Sequence, residues 1–295
     1  MILCAGESLI DMLPRQTAEG PGFLPVAGGA VFNTAVALGR LGAPVAMHTG
    51  LSSDLFGRQL AAAMEASRVE NRAALSDRPT TLAFVTLSPE GHASYAFYDE
   101  NTAGRMLSAA EAPSMDGIEA LFIGGISLPV EPCGTAYEAL ALANPDLPLM
   151  MDPNIRPDFI ADADAYRARL DRLLRIADIV KVSDEDLHWM GHDVADLLAM
   201  GVHTVCLTEG EKGATAHTPD GPVRVPARKV AVVDTVGAGD TFNAGLLAGL
   251  HRAGALSKAA PPRAALEEAL RLGVAAAAVT VSRAGANPPW AEELA

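Results

Sequence analysis

The chain has 295 residues, of which 49% are hydrophobic, 20% charged and 5% aromatic. That composition excludes disordered and collagen-like chains and allows one large core with an appendage. Lys and Arg number 22 against 36 Asp and Glu, a formal charge of −14, so neither nucleic acid nor an anionic membrane is an expected partner. With no uncharged apolar run of about 18 residues, a transmembrane helix is excluded as well.

The opening MILCAGESLIDML carries no Lys or Arg before its apolar residues and meets an acid at Glu7. It reads as a strand over residues 2–4 rather than a signal peptide. Residues 10–27 are punctuated by Pro and Gly and too short for a helix. Helical patterns at 33–41 and 57–66 flank a strand at 45–50. Residues 80–98, TTLAFVTLSPEGHASYAFY, read as two alternating strands around a Pro-Glu-Gly turn. Strands at 120–124, 149–152, 179–182 and 204–208 then alternate with helices at 135–143, 163–176, 184–190 and 193–200. A surface turn near 258–262 precedes a last helix at about 264–282. Alternation of this kind predicts an α/β fold, a parallel sheet with helices on both faces. The apolar runs are apolar at both parities, as a sheet buried on both sides requires. Segments 10–27 and 80–98 cannot join such a sheet without a crossover, so they are expected to form a small separate sheet, a lid over a site. The cysteines Cys4, Cys133 and Cys206 are scattered in or beside apolar stretches, without ligand spacing. They read as buried thiols of a reducing, cytoplasmic setting.

Residues 232–250, VVDTVGAGDTFNAGLLAGL, carry the chemistry. A β-like run ends at Asp234, a Gly-rich turn comes next, and a helix opens near Asp240. Gly237 and Gly239 permit a tight bend and close ligand approach, and the helix N-terminus offers unpaired N–H groups suited to phosphate. A carboxylate there repels phosphate unless it is needed for a proton. Asp240 therefore reads as a general base for an attacking hydroxyl, with the N–H groups of Ala238, Gly239 and Asp240 holding the phosphoryl group. A plain N-cap Asp over a tight turn is the alternative. No GxxxxGK[ST] is present, so a P-loop lysine is not expected.

A second group of residues suits a polyhydroxylated acceptor. Asp11, between Ile10 and Met12, can accept paired hydrogen bonds from neighbouring hydroxyls. Gly28, Gly29 and Asn33 sit at a turn entering a helix, where backbone and amide can read further hydroxyls, an N-cap role for Asn33 being the alternative. Phe97 and Tyr98 either pack over the acceptor or fill the lid. In DPNIRP, residues 152–157, Asp152 and Asn154 close a strand where ligands bind in such folds. Arg156 can reach acceptor or phosphates, unless the segment is merely a turn.

Asp-Thr-x-Gly-Ala-Gly-Asp-x-Phe at 234–242 resembles the C-terminal signature of the ribokinase-like (PfkB) carbohydrate kinases. AGGAVFNTAVALGRLGAPVAMHTGLSSDLFGRQL at 27–60 resembles their N-terminal one. ISLPVEP, DPNIRP and FYDENTA resemble the fructokinase branch. The resemblance implies a single kinase domain over 1–295, a three-layer α/β sandwich with a mostly parallel sheet and a lid from about 11–27 and 80–100. It implies transfer of the ATP γ-phosphoryl group to a sugar hydroxyl with Mg²⁺, Asp240 being the base. D-Fructose ranks first as acceptor. 2-Keto-3-deoxygluconate ranks second, since its carboxylate would want Arg105 or Arg156. By the same resemblance, Thr208, Gly210 and Gly213 of LTEGEKGA touch the nucleotide, a Gly-rich hairpin turn being the alternative, and Ala276 lies near the adenine, alanine packing against a neighbouring helix being the equal alternative. Lys181, Ser183 and Asp186 of KVSDEDL occupy the family's Asn-x-x-Glu region, with Ser183 and Asp186 departing from it, Asp186 facing Mg²⁺ through water. Local rules also make Ser183 an N-cap. Asp234 lies where the family supplies a monovalent-cation ligand, K⁺ for instance, and a homodimer through the lid is implied. Two other classes compete: a ligand-binding protein without chemistry, against which Asp240 and its glycines stand, and a dinucleotide oxidoreductase, whose G-x-G-x-x-G is absent from the first strand.

Overall fold

Short, fully buried apolar strands build the centre of the computed structural model, which describes residues 1–87 and 93–294. In chain order the first half contains β1 (Ile2–Ala5), β2 (Leu9–Thr17), β3 (Gly20–Gly28), α1 (Ala30–Arg40), β4 (Val45–His48), β5 (Gly50–Ser52), α2 (Leu55–Ala66), β6 (Glu70–Asn71), β7 (Ala74–Ser76), β8 (Leu82–Leu87) and β9 (Ala93–Tyr98). Next come β10 (Ala120–Gly124), α3 (Cys133–Leu142), β11 (Leu149–Asp152), α4 (Ala163–Leu174), β12 (Ile179–Val182), α5 (Asp184–Met190), α6 (Val194–Ala199) and β13 (Thr204–Thr208). The chain closes with β14 (Ala214–His217), β15 (Val223–Val225), α7 (Ala238–Arg252) and α8 (Arg263–Val281).

Nine strands form one sheet in the order β15-β14-β13-β12-β11-β10-β1-β4-β6. Pairing is parallel from β6 to β13 and antiparallel at β14 and β15. Side chains of α1, α2, α7 and α8 fill one face and those of α3, α4, α5 and α6 the other. This is the layered α/β arrangement that the alternating pattern predicts. From β1 the chain passes first to β4 on one side and later to β10 on the other, so β1 marks a topological switch point. Crevices for ligands open there, outside the carboxyl ends of the strands. Helices α7 and α8 pack backbone to backbone: a Cβ on Gly245 would fall 2.5 Å from Gly273 Cα. That closeness fixes where the first turn of α7 meets the sheet edge.

The small sheet has the order β3-β2-β8-β9 and takes in the two segments that break the alternation. Its register aligns Asp11 with Ala83 and Ala83 with Phe97, which sets Asp11 and Phe97 on one face. The Pro-Glu-Gly turn at 89–91 lies outside the described residues. All three cysteines are free and buried, and no helix among the described residues is long and apolar enough to cross a membrane.

Three expectations need correction. No strand forms before Asp234. Residues 226–237 are irregular, and Val232 and Val233 are 64% and 63% exposed. Pro226 comes directly after β15 and, without an N–H to donate, ends the pairing of that edge strand. The backbone of Val233 and Asp234 instead donates to Val281 O at the end of α8. Helix α1 begins at Ala30 rather than 33, which places Asn33 inside the helix and removes its N-cap reading. The span predicted as one strand at 45–50 divides: β4 stays in the large sheet, while β5 pairs with β7 in a two-stranded ribbon.

Candidate active site

A cavity of about 1010 Å³ opens at the carboxyl edge of the large sheet, beneath the small one. Its wall is built from the segments that leave the ends of β1, β10, β11, β12 and β13, together with the first turn of α7. Gly237, in the left-handed region at φ 76°, is the N-cap of that helix. Asp240 therefore sits a turn inside, and its side chain makes no capping bond, so the N-cap reading fails. Ala238 N–H is engaged by Thr235 O at 3.3 Å, a correction to its expected role as a free donor. The N–H groups of Gly239 and Asp240 have no partner among the described residues, which leaves two donors and the positive end of a 15-residue helix facing the cavity.

Asp240 is only 7% exposed. Asn33 Nδ2 donates to its Oδ2 at 2.9 Å, and Asn154 Nδ2 approaches Oδ1 at 3.5 Å. Asn154 reaches there from a strained left-handed backbone at φ 44°. Burial, opposed by the Asn33 hydrogen bond, pushes the Asp240 carboxyl up to about 7. Asp152 adds to the rise, while Lys181 and Arg156 oppose it. A carboxyl titrating near neutrality within a cavity is suited to taking a proton.

Below the helix turn lies a buried ion pair. Lys181 Nζ donates to Asp152 Oδ2 at 3.1 Å, and Asn243 Nδ2 donates to the same oxygen at 2.7 Å. Asp152 Oδ1 accepts from Asn154 N at 3.1 Å. The sequence places Asp152 at a strand end where ligands bind, but it gives no sign that Asp152 pairs with Lys181 and Asn243. Sheet order is what joins β11 to β12 and so makes the pair.

On the acceptor side Asp11, Gly29, Asn33, Phe97 and Arg156 line the same cavity as Asp240. Burial raises the Asp11 carboxyl to about 6, and no described residue donates a hydrogen bond to it. Gly28 does not line the cavity, yet a Cβ there would fall 2.2 Å from Asp11 Oδ2; its job is to leave room for that carboxylate. The Phe97 ring lies 4.6 Å from that of Phe159. Tyr98 is exposed. Arg156 Nη1 donates to Ile155 O at 3.0 Å. Arg105 is paired with Asp99 at 3.3 Å and lies outside the cavity lining.

Residues expected at the nucleotide divide. Lys181, Ser183, Asp186, Thr208 and Gly210 line the cavity. Ser183 is indeed the N-cap of α5 in a capping box with Asp186, whose other oxygen accepts from Ile155 N at 2.8 Å. Gly213 is not at the cavity; its φ of 103° and a Cβ position 2.2 Å from Val225 O make it a hairpin requirement. Ala276 is fully buried in the core and does not line the cavity either, because its part of α8 packs inward beside α7. Asp234 is spent on backbone: Oδ1 accepts from Val236 N at 3.0 Å and Oδ2 from Gly285 N at 2.9 Å.

Lys212 and Glu7 are among the lining residues that went unassigned in the sequence. Lys212, on the rim, was legible as a cation inside the Gly-rich loop. Glu7 accepts from Ala30 N at 3.0 Å and from Ser127 Oγ at 3.0 Å, tying the start of α1 to the end of β1 and to the turn after β10. The signal for it was an acid two residues beyond an all-apolar strand. Among the described residues no cluster of three or more His, Cys, Asp or Glu could hold a metal ion.

Residues 1–293 match the sequence profile of the pfkB family carbohydrate kinases. Over 268 residues the chain is 51% identical to a fructokinase of Rhizobium leguminosarum bv. trifolii, covering 88% of this chain and 82% of that protein. Among solved structures, the fructokinase with bound ATP from Xylella fastidiosa is similar at a TM-score of 0.90 and 26% identity, over 99% of this chain and 97% of the other. The Vibrio cholerae O395 fructokinase in fructose, ADP and calcium ion bound form gives 0.82 and 25%, over 97% and 94%.

Proposed function

The chain belongs to the pfkB family of carbohydrate kinases, and on that premise we propose that it transfers the γ-phosphoryl group of ATP to a hydroxyl of D-fructose. It is a carbohydrate kinase of ribokinase-like fold, and fructokinases are its relatives in sequence and in structure. The observation that carries the chemistry is Asp240, buried at the first turn of α7 beside the unpaired N–H groups of Gly239 and Asp240. In the step, a sugar hydroxyl oxygen bonds to the γ-phosphorus as the bridge to the β-phosphate breaks. The hydroxyl proton passes to the Asp240 carboxylate, and ADP leaves with the bridging oxygen. The two N–H groups and the helix dipole meet the charge on the transferring group. Such catalysis is positional and electrostatic, which suits a site fixed by backbone.

Asp11, Gly29 and Asn33 would receive the sugar, with Phe97 against its carbon face and Gly28 keeping Asp11 in place. Asp11 supports this because its carboxylate lines the cavity with no protein partner among the described residues. A carboxylated acceptor such as 2-keto-3-deoxygluconate ranks second, because Asp99 already holds Arg105 and leaves only Arg156 of the two cations at the cavity. Thr208, Gly210 and Lys181 would meet the nucleotide. Mg²⁺ would arrive with ATP and supply charge neutralisation at the phosphates. Asp186, a hard oxygen donor engaged through both oxygens, fits it only through water. The carboxylate and carbonyls around Asp234 are the donor type a monovalent cation takes. The small sheet of β2, β3, β8 and β9 is proposed to act as the lid. Its half-exposed Phe23 ring meets Phe84 at 5.0 Å, and Phe84 meets exposed Tyr98 at 5.3 Å. That aromatic face supports a homodimer through the sheet, and the three buried thiols support a cytoplasmic setting.

A coupled assay over a panel of sugars with Mg-ATP tests the reading. Fructose is expected to give the highest kcat/KM. Higher turnover of 2-keto-3-deoxygluconate would move the acceptor assignment, and tight binding without turnover on any sugar would end the catalytic one.

A further inference from the structure

The first turn of α7 presents an electrostatic problem. Asp240 and Asp152 are both buried there, and the incoming phosphates are anionic. Two backbone N–H groups and a helix terminus equivalent to about half a positive charge cannot balance them. The chain's overall charge of −14 offers no background compensation. The one full positive charge among the described residues that is both buried and in contact with the cavity is Lys181, 6% exposed. Burial works against its ammonium, but the carboxylates of Asp152, Asp186 and Asp240 outweigh that and hold it protonated, above the ordinary lysine value.

Its position is specific. A Cβ built on Gly239 would lie 3.2 Å from Lys181 Nζ, so the ammonium packs directly against the residue whose free N–H faces the cavity. Among the described residues its only hydrogen-bond partner is Asp152, although an ammonium has three donors. Asp152 in turn is fixed by Asn243 and by Asn154 N, so the ammonium is held rather than free to swing. Any side chain at 239 would crowd the space between it and a ligand.

We propose that Lys181, anchored by Asp152, is the fixed counter-charge of the anion site and meets an oxygen of the migrating phosphoryl group beside Gly239. The inference rests on the kinase reading and deepens it. The rival role is that Lys181 merely neutralises Asp152 for folding. In the proposed role its hydrogen bond to the phosphoryl group is charge-assisted and strengthens as charge redistributes in the transition state.

Two variants separate these roles. Lys181→Met alone strands a buried carboxylate and can fail to fold. The double variant Asp152→Asn with Lys181→Met removes both charges together. If Lys181 acts on the phosphoryl group, the folded double variant keeps the sugar KM within about threefold but loses about 10²–10³ in kcat. The groups facing Asp240 are Asn33 from α1, Asp152, Asn154 and Arg156 at and after the end of β11, and Lys181 from β12. Removing one positive and one negative charge together leaves the acid limb of its pH profile nearly in place. A double variant with more than about a tenth of wild-type kcat overturns the proposal. So does a loss of activity explained wholly by a displaced acid limb. Wild-type crystals grown with fructose, ADP and aluminium fluoride give a reading that needs no variant. Nζ is expected within about 3.2 Å of a fluoride, and an ammonium still bound to Asp152 alone contradicts the proposal. Absence of turnover in the wild-type protein would defeat the kinase reading instead, so the two failures are distinguishable.

Discussion

Two of the carboxylates that line the cavity, Asp240 and Asp11, are built in opposite ways. Asp240, on the large-sheet side, is set in the first turn of a long helix and met by amides from α1 and from the turn after β11. Asp11, on the small sheet, accepts no hydrogen bond from any described residue, and its neighbour is a glycine that simply gives it room. Burial raises both, Asp240 to about 7 and Asp11 to about 6. A carboxylate oriented by the protein is prepared for chemistry, whereas one left without partners waits for donors that a ligand brings. The core side of the cavity is thus organised in advance and the small-sheet side is completed by what binds.

Breaking the core side should have the larger consequence. Asp240→Asn is expected to lower kcat by about 10²–10⁴ with ATP binding intact by calorimetry; a variant keeping half its turnover would make Asp240 a structural acid. The same substitution should raise stability at pH 8 by an amount on the order of 2–4 kcal/mol. The folded protein binds the Asp240 proton more tightly than the unfolded chain does. Its burial therefore costs stability as pH rises from about 4 to about 7, and the neutral amide escapes that cost. Melting curves at pH 4 should show no such gain, and an equal gain at both pH values would rule out this cause.

The small-sheet side should answer through KM. Asp11→Ala is expected to raise the fructose KM roughly 10–100-fold, the loss of one or two charged hydrogen bonds, while the ATP KM stays within about twofold. A change in the ATP constant alone would put Asp11 on the wrong ligand. Gly28→Ala, which displaces the Asp11 carboxylate without removing it, should give a smaller rise of about 3–10-fold. An unchanged KM there would mean that Asp11 moves aside without loss.

How much the sequence disclosed depends on the range of each interaction. The parallel core was legible because its strands are apolar at both parities, and the separate sheet because two segments break the alternation. The exposed run before Asp234 misled, since local β character cannot tell that Pro226 ends the last available strand. Short edge strands such as β14 and β15 carry too few residues to announce themselves. Asp240, Asp11 and the α7 turn were legible from chemistry that sits within a few residues. The Asp152–Lys181–Asn243 group was not, because its members meet only through strand order. Ala276 stayed between two readings because a small residue marks close packing as readily as room for a ligand, and it is part of the core.

The central claim, that Asp240 accepts the hydroxyl proton, is tested most directly by kcat/KM for fructose as a function of pH, measured on the wild-type protein and on Asp11→Asn. The account predicts a fall below about 7 in both, tenfold per pH unit in Asp11→Asn and steeper below about 6 in the wild type, where the Asp11 carboxyl also gains its proton, since the free enzyme's base must be ionised and Asp11 is not that base. A wild-type profile flat down to about pH 5, or a limb that vanishes with Asp11→Asn, would contradict it.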